Sequence, residues 1–261
     1  HISGLQGGHS GMEIHKGLGN SNKLLNRILF AGIPSLKLIK IDGGGLRNAI
    51  PREAMASFAV AAEDEQKIIA LMEQAKKEII AEFKSLEKNL SIEIAKTILG
   101  DVKTLSAGDS KALVQAIYAT ANGVFRMSPD IEDLVETSNN LARILLEDGK
   151  LQIACLTRSS VESGKQDLVN TISSAYELIG ANISLSGDYP GWQPNMDSSI
   201  LNVMDGLYEN LFGQKANVAA CHAGLECGIL GTHYPEMDMI SFGPTIKGAH
   251  SPAERANIDS L

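Results

Sequence analysis

The chain has 261 residues, 44% of them hydrophobic and 21% charged, which supplies an ordinary core for one large domain or two smaller ones. A formal net charge of -8 and an isoelectric point near 5.3 argue against general affinity for nucleic acid or anionic membrane and favour a small molecule or peptide as partner. Three cysteines cannot all pair, no second cysteine pair completes a zinc site with Cys221 and Cys227, and no apolar run spans a membrane, so a cytoplasmic setting is expected.

Ile2 to Leu5 reads as a short strand entering the glycine turn "QGGHSG", and "SNKLLNRILFAG" puts Leu24, Leu25, Ile28 and Leu29 on one helical face that Gly32 and Pro34 end. "SLKLIKI" and "EAMASFAVAA" read as strands, with the glycine-rich "DGGGLRNAIPRE" between them predicted irregular. From Asp64 to about Leu90 the apolar spacing becomes helical, with Ile68, Ile69, Leu71, Met72, Ile79, Ile80 and Phe83 set among charges. "LSIEIAKTIL" suggests a returning strand and "SKALVQAIYATAN" a further helix. "LVETSNNLARILLED" and "KLQIACLTRSS" meet at Asp148-Gly149, a hairpin signal because both residues tolerate positive φ. A helix over "VESGKQDLVNTISSAYELIGA" and a strand over "NISLSG" follow.

Residues 1–187 therefore predict an α+β domain, with helices on one face of a largely antiparallel sheet. The texture changes at "GDYPGWQPNMDSS", which places a domain boundary near Asp188. Beyond it a helix over "SSILNVMDGLYENLFG", a buried strand over "ANVAACHAG", a short helix over "LECGILG" and a buried strand over "MDMISFG" predict an α/β unit with parallel strands for residues 188–261. The chain starts inside a predicted strand and stops at the start of a predicted helix, the pattern expected of a piece of a longer protein.

Several residues could carry chemistry. His9 is flanked by Gly7, Gly8 and Gly11, and Ser10 with Glu13 fits a capping box that would set a helical turn behind the imidazole. A histidine on such a turn could donate to an oxyanion or a substrate carbonyl, and it could equally be a solvated surface residue. His250 follows the last apolar segment, where ligands gather in α/β sheets, and suits zinc through a neutral ring nitrogen. Spacing alone leaves it an ordinary loop histidine as well. His222, Glu226 and Cys227 could bind a metal or mark a helix entry, while His15 and His233 read as surface. Arg47, Asn48 and Arg158 stand beside glycines or a strand end, where a guanidinium could meet a carboxylate with two bonds or form a plain ion pair.

Five segments in order, "ISGLQGGHSGMEIHKGLGN", "LRNAIPREA", "GDYPGWQPNMDS", "HAGLECGIL" and "YPEMDMISFGPTIKGAHSPAER", resemble the bacterial aminoacyl-histidine dipeptidases of the dinuclear zinc M20 peptidase family. The resemblance runs the length of the chain. It implies an α+β lid and dimerisation domain over 1–187, followed by the carboxy-terminal part of an α/β zinc-peptidase catalytic domain over 188–261. It further implies hydrolysis of Xaa-His dipeptides of the β-alanyl-histidine type by a homodimer holding two zinc ions. On the family's pattern His250 matches the last zinc-binding histidine and His9 the lid histidine that reaches the scissile carbonyl, while Asn48, Arg158 and Gly243 match substrate-holding positions. The family's other metal ligands and its general base have no counterpart in this sequence, so the chain alone is expected to be inactive. Another M20 exopeptidase, such as a tripeptidase or carboxypeptidase, or a non-catalytic dimerisation module, are the alternatives.

Overall fold

The structure, a computed structural model, describes residues 1–98, 100, 102–193, 195–219, 225–247 and 254–260. These fall into two compact units that divide between Gly191 and Trp192.

In chain order the first unit comprises β1 (Ile2–Ser3), β2 (Gly8–His9), α1 (Ser21–Gly32), β3 (Lys37–Gly44), β4 (Ala49–Ile50), β5 (Ala54–Ala59), α2 (Glu65–Phe83) and β6 (Ser91–Ile92). It continues with α3 (Ala107–Ala119), β7 (Gly123–Met127), β8 (Val135–Glu147), β9 (Lys150–Ser159) and α4 (Glu162–Glu177). Seven strands form one sheet in the order β6-β1-β5-β3-β8-β7, with β9 also paired to β8, and every pairing in it is antiparallel. The short β2 and β4 pair separately, with His9 opposite Ala49.

The local causes are visible in the chain. Asn20 begins α1 by accepting from the Asn22 and Lys23 backbone N–H groups, at 3.0 and 3.2 Å. Leu24, Leu25, Ile28 and Leu29 are then buried, and the same core takes in Leu36, Leu38 and Ile41 of the β3 region and Leu141, Ile144 and Leu146 of β8. From α2 only Ile68, Met72 and Ile79 are buried, whereas Ile69, Leu71 and Ile80 are exposed. The buried stripe of α2 is narrower than that of α1: Ile68, Met72 and Ile79 recur at helical spacing, and neighbours turned about 100° away fall outside it. The β8–β9 hairpin closes through Asp148 at φ 51° and Gly149 at φ 74°, with Glu147 opposite Lys150. Two positive-φ residues give the turn whose twist matches the strands.

Other expectations need correction. The helix predicted to reach Leu90 ends at Phe83, and of the strand predicted over residues 90–99 only Ser91–Ile92 is a strand among the described residues. The irregular stretch between β3 and β5 contains β4, and "NISLSG" forms no strand. β7 was missed because its side chains are mostly exposed and show no inward alternation.

The second unit comprises α5 (Ser199–Phe212), α6 (Glu226–His233) and the antiparallel pair β10 (Ile246–Lys247) and β11 (Arg255–Ala256). Ser198 caps α5 by accepting from Leu201 N–H, and Asp238 accepts from both Ser198 Oγ and Ile200 N–H. Those bonds hold the Asp238 carboxyl below its usual range, the Ser198 hydroxyl contributing most. The predicted parallel α/β unit is not seen among the described residues: 216–219 and 237–243 form no strand, and 220–224 lie outside the description. A strand that is apolar on both faces exists only where neighbours complete its ladder, and none pairs with these segments here.

Candidate functional site

The site is built around the segment from Gln6 to Gly19. Gly7 takes φ 65°, in the left-handed region, and sends the chain into β2. The backbone then winds through the turn Gly11–Glu13 into a short 3-10 helix over Ile14–Lys16. Ile14 tucks under it against Ile50 and Val135, fixing the segment over the start of β8.

His9 itself caps this turn. Its Nδ1 accepts from the backbone N–H groups of Gly11 and Met12, each at 3.1 Å. In return the Glu13 carboxylate accepts from His9 N–H at 2.9 Å, and Glu13 N–H donates to His9 O at 3.0 Å. The reciprocal pattern expected of Ser10 and Glu13 is thus displaced by one residue, with histidine as the capping side chain and the Ser10 hydroxyl buried. Ring nitrogens and hydroxyl oxygens are both good acceptors, and the register of the turn decides between them. Two donors aimed at Nδ1 fix the neutral tautomer whose proton sits on Nε2. Glu13 is also bonded by Lys16 Nζ at 2.7 Å, and that contact first, then the His9 N–H, holds its carboxyl below the usual range.

Asn48 and Arg158 converge on the same place. Ser10 N–H donates to Asn48 O at 2.8 Å, and Asn140 Nδ2 grips the flanking Arg47 and Ala49 carbonyls at 3.0 and 2.8 Å. Arg158, on β9 opposite Ser138, comes so close that a Cβ on Gly11 would stand 3.4 Å from its Nε and 3.1 Å from His9 Cε1. Gly11 therefore lets an imidazole and a guanidinium share one wall of the site. Beside it a cleft of about 340 Å³ is lined by Leu46, Arg47, Asn48, Leu156 and Gly187.

Of the remaining candidates, Gly243 is exposed in the second unit, and His250 and His222 lie outside the described residues. Glu226 opens α6, the helix entry that was one of its two readings, and His15 and His233 are exposed. Among the described residues no three His, Cys, Asp or Glu side chains are grouped to hold a metal ion. No described helix is long and apolar enough to cross a membrane.

Sequence reasoning missed the supports. Asn140 and the other buried polar residues of β8, Glu136 to Asn139, break the apolar alternation that marks a strand, yet they lie in the middle of the sheet. Glu87 sits in "SLEKNL", which reads as a solvated helix end but is buried.

Residues 1–87 match the family model described as the peptidase dimerisation domain of the M20 type. The whole chain is 43% identical to the cytosol non-specific dipeptidase of Escherichia coli (strain K12), spanning 54% of that protein. It superposes with a TM-score of 0.89 and 42% identity on aminoacylhistidine dipeptidase from Vibrio alginolyticus, covering 99% of this chain and 53% of that one. The chain thus spans about half the length of the relatives it matches. Over residues 1–87 it is similar to the dimerisation domain of the M20 type and, along its whole length, to these two dipeptidases.

Proposed function

We propose that this chain supplies the lid and part of the catalytic domain of a homodimeric peptidase that hydrolyses Xaa-His dipeptides of the β-alanyl-histidine type. Residues 1–187 act as lid and dimerisation domain, and 188–261 as the carboxy-terminal part of the catalytic domain. The observation that carries the reading is the His9 imidazole, whose Nδ1 is committed to two backbone N–H groups. Its Nε2–H serves as a donor to the scissile carbonyl oxygen and strengthens as negative charge grows there. Because the ring is already held by its own turn, no reorganisation is required when the charge appears.

Arg158, beside His9, offers a planar fork for the peptide's terminal carboxylate, and Asn48 holds the substrate backbone. On the strength of the resemblance Gly243 is proposed as a further substrate-holding residue. The described residues do not form a zinc centre. On the strength of the resemblance His250 is proposed as the zinc ligand of this chain, the other donors of a zinc pair lying outside this sequence.

The test is hydrolysis of β-alanyl-histidine, of dipeptides lacking histidine and of tripeptides by the full-length protein that carries this sequence. Preference for the Xaa-His dipeptide, with kcat falling about 100- to 1000-fold in His9→Ala, is expected. Equal or faster tripeptide cleavage, or an unchanged kcat in His9→Ala, would overturn the reading. This chain alone should show no turnover.

A further inference from the structure

We propose that Glu87 is a positioning residue for His9, an inference that rests on the reading of His9 as a carbonyl-facing donor. The residue is only 3% exposed, and its two carboxylate oxygens are spent on backbone. Oε2 accepts from Gln6 N–H and Oε1 from Gly19 N–H, both at 2.8 Å. Gln6 and Gly19 are the two feet of the segment that carries His9. One carboxylate therefore closes the base of that loop, as a clip holds the ends of a wire.

The clip is itself fixed. Glu87 follows the carboxyl end of α2 and donates its own N–H to Phe83 O at 2.8 Å, while the Gln6 side-chain amide donates to Leu86 O. Through Ile68, Met72 and Ile79, α2 belongs to the main core, so the loop base inherits the rigidity of the first unit. The preceding residue, Leu5, is buried, and its carbonyl accepts from Arg52 Nε at 3.0 Å. Charged acceptors make the stronger hydrogen bonds, and here each N–H group meets its own carboxylate oxygen, whereas an amide would place an oxygen at one of the two positions and an NH2 at the other. Glu87→Gln keeps the volume, retains one foot and turns an N–H donor against the other.

The experiment reads His9 directly. In the 15N-labelled chain, long-range imidazole correlations above the ring's titration should show His9 with Nε2 protonated, its signals identified by their loss in His9→Gln. In a folded Glu87→Gln chain these signals are expected to shift toward a mixture of the two tautomers, with the histidines away from the loop unchanged. In the full-length protein the same variant should lower kcat for β-alanyl-histidine about 10- to 100-fold with KM within about twofold, the pattern of a misplaced group rather than lost binding. Unchanged His9 signals in folded Glu87→Gln overturn the proposal. Changed signals with an unchanged kcat uphold the positioning role of Glu87 and instead refute His9 as a catalytic donor. Glu87→Asp, which keeps the charge but withdraws it by one methylene, is read in the same way and serves if Glu87→Gln does not fold.

Discussion

Asn140 tests the support of the site from its other side. The residue is 1% exposed at the centre of β8. Its Nδ2 donates to Arg47 O at 3.0 Å and Ala49 O at 2.8 Å, and its Oδ1 accepts from Asn20 Nδ2 at 3.3 Å. Asn140→Ala deprives both carbonyls of their partner, whereas Asn20 Nδ2 keeps Asn122 Oδ1 and Leu141 O. At about 1–3 kcal/mol for each buried polar group left unmade, and with Arg47 partly reached by water, the loss should be about 2–4 kcal/mol. Denaturant unfolding of the chain, compared at constant m-value, measures it directly. Asn140→Asp, nearly identical in volume, should cost at least as much, because it turns an oxygen toward two carbonyls. The Ser10 amide, bonded to Asn48 O, should exchange faster in both variants. A loss under about 1 kcal/mol for Asn140→Ala, or an Asp variant as stable as the wild type, would refute the idea that these bonds hold the Asn48 loop.

Gly11→Ala should fold with a loss of about 1 kcal/mol or less, since the new methyl meets only side chains, but displacing His9 and Arg158 should lower kcat about tenfold in the full-length protein; steady-state kinetics beside a melting curve separate the two effects. Burial raises the Cys155 thiol from 9.0 to about 11, so its contribution to stability is intact below about pH 9 and lost as pH rises through 11; at pH 9 iodoacetamide should label Cys155 in the unfolded chain but scarcely in the folded one, as read by peptide mapping. Burial pushes the Lys23 ammonium down to about 8, which adds stability as pH rises from 8 to 10.5, so thiol labelling rather than a stability curve is the clean readout. Lys165 Nζ bonds Asp188 Oδ1 at 2.6 Å and holds that carboxyl below its usual range. The bond's contribution is present above about pH 4 and fades as pH falls further, so the protection factors of amides near Asp188, taken against the intrinsic exchange rate at each pH, should fall in acid and be pH-insensitive in Lys165→Met. Gly149→Val places a β-branched residue at φ 74° and should cost about 1–2 kcal/mol, read as a shift in the denaturation midpoint.

The legible parts of this fold are those whose cause is local. The apolar stripe of α1, the turn at Asp148-Gly149 and the helical period of α4 and α5 are each written in a few consecutive residues. What escaped depends on distant partners: β7 exists because β8 lies beside it, and the strands expected after Asp188 lacked neighbours among the described residues. The site divides the same way. His9, Asn48 and Arg158 could be singled out by type, glycine context and resemblance, and the structure brings these three together. The displaced cap could not be read because Ser10 and His9 compete for the same N–H groups and only the turn geometry decides. Glu87 and Asn140 gave no signal, because a buried polar residue is defined by bonds made to segments far away in the chain.

The two N–H groups aimed at Nδ1 also limit what His9 can do with protons. A shuttle must take up a proton on one nitrogen and release it from the other, and here uptake at Nδ1 would set a new N–H against both Gly11 and Met12 and unmake the turn that presents the ring. His9 is wired as a fixed dipole, and in the peptide cleavage proposed above any proton that leaves water and reaches an amine has to travel by another route.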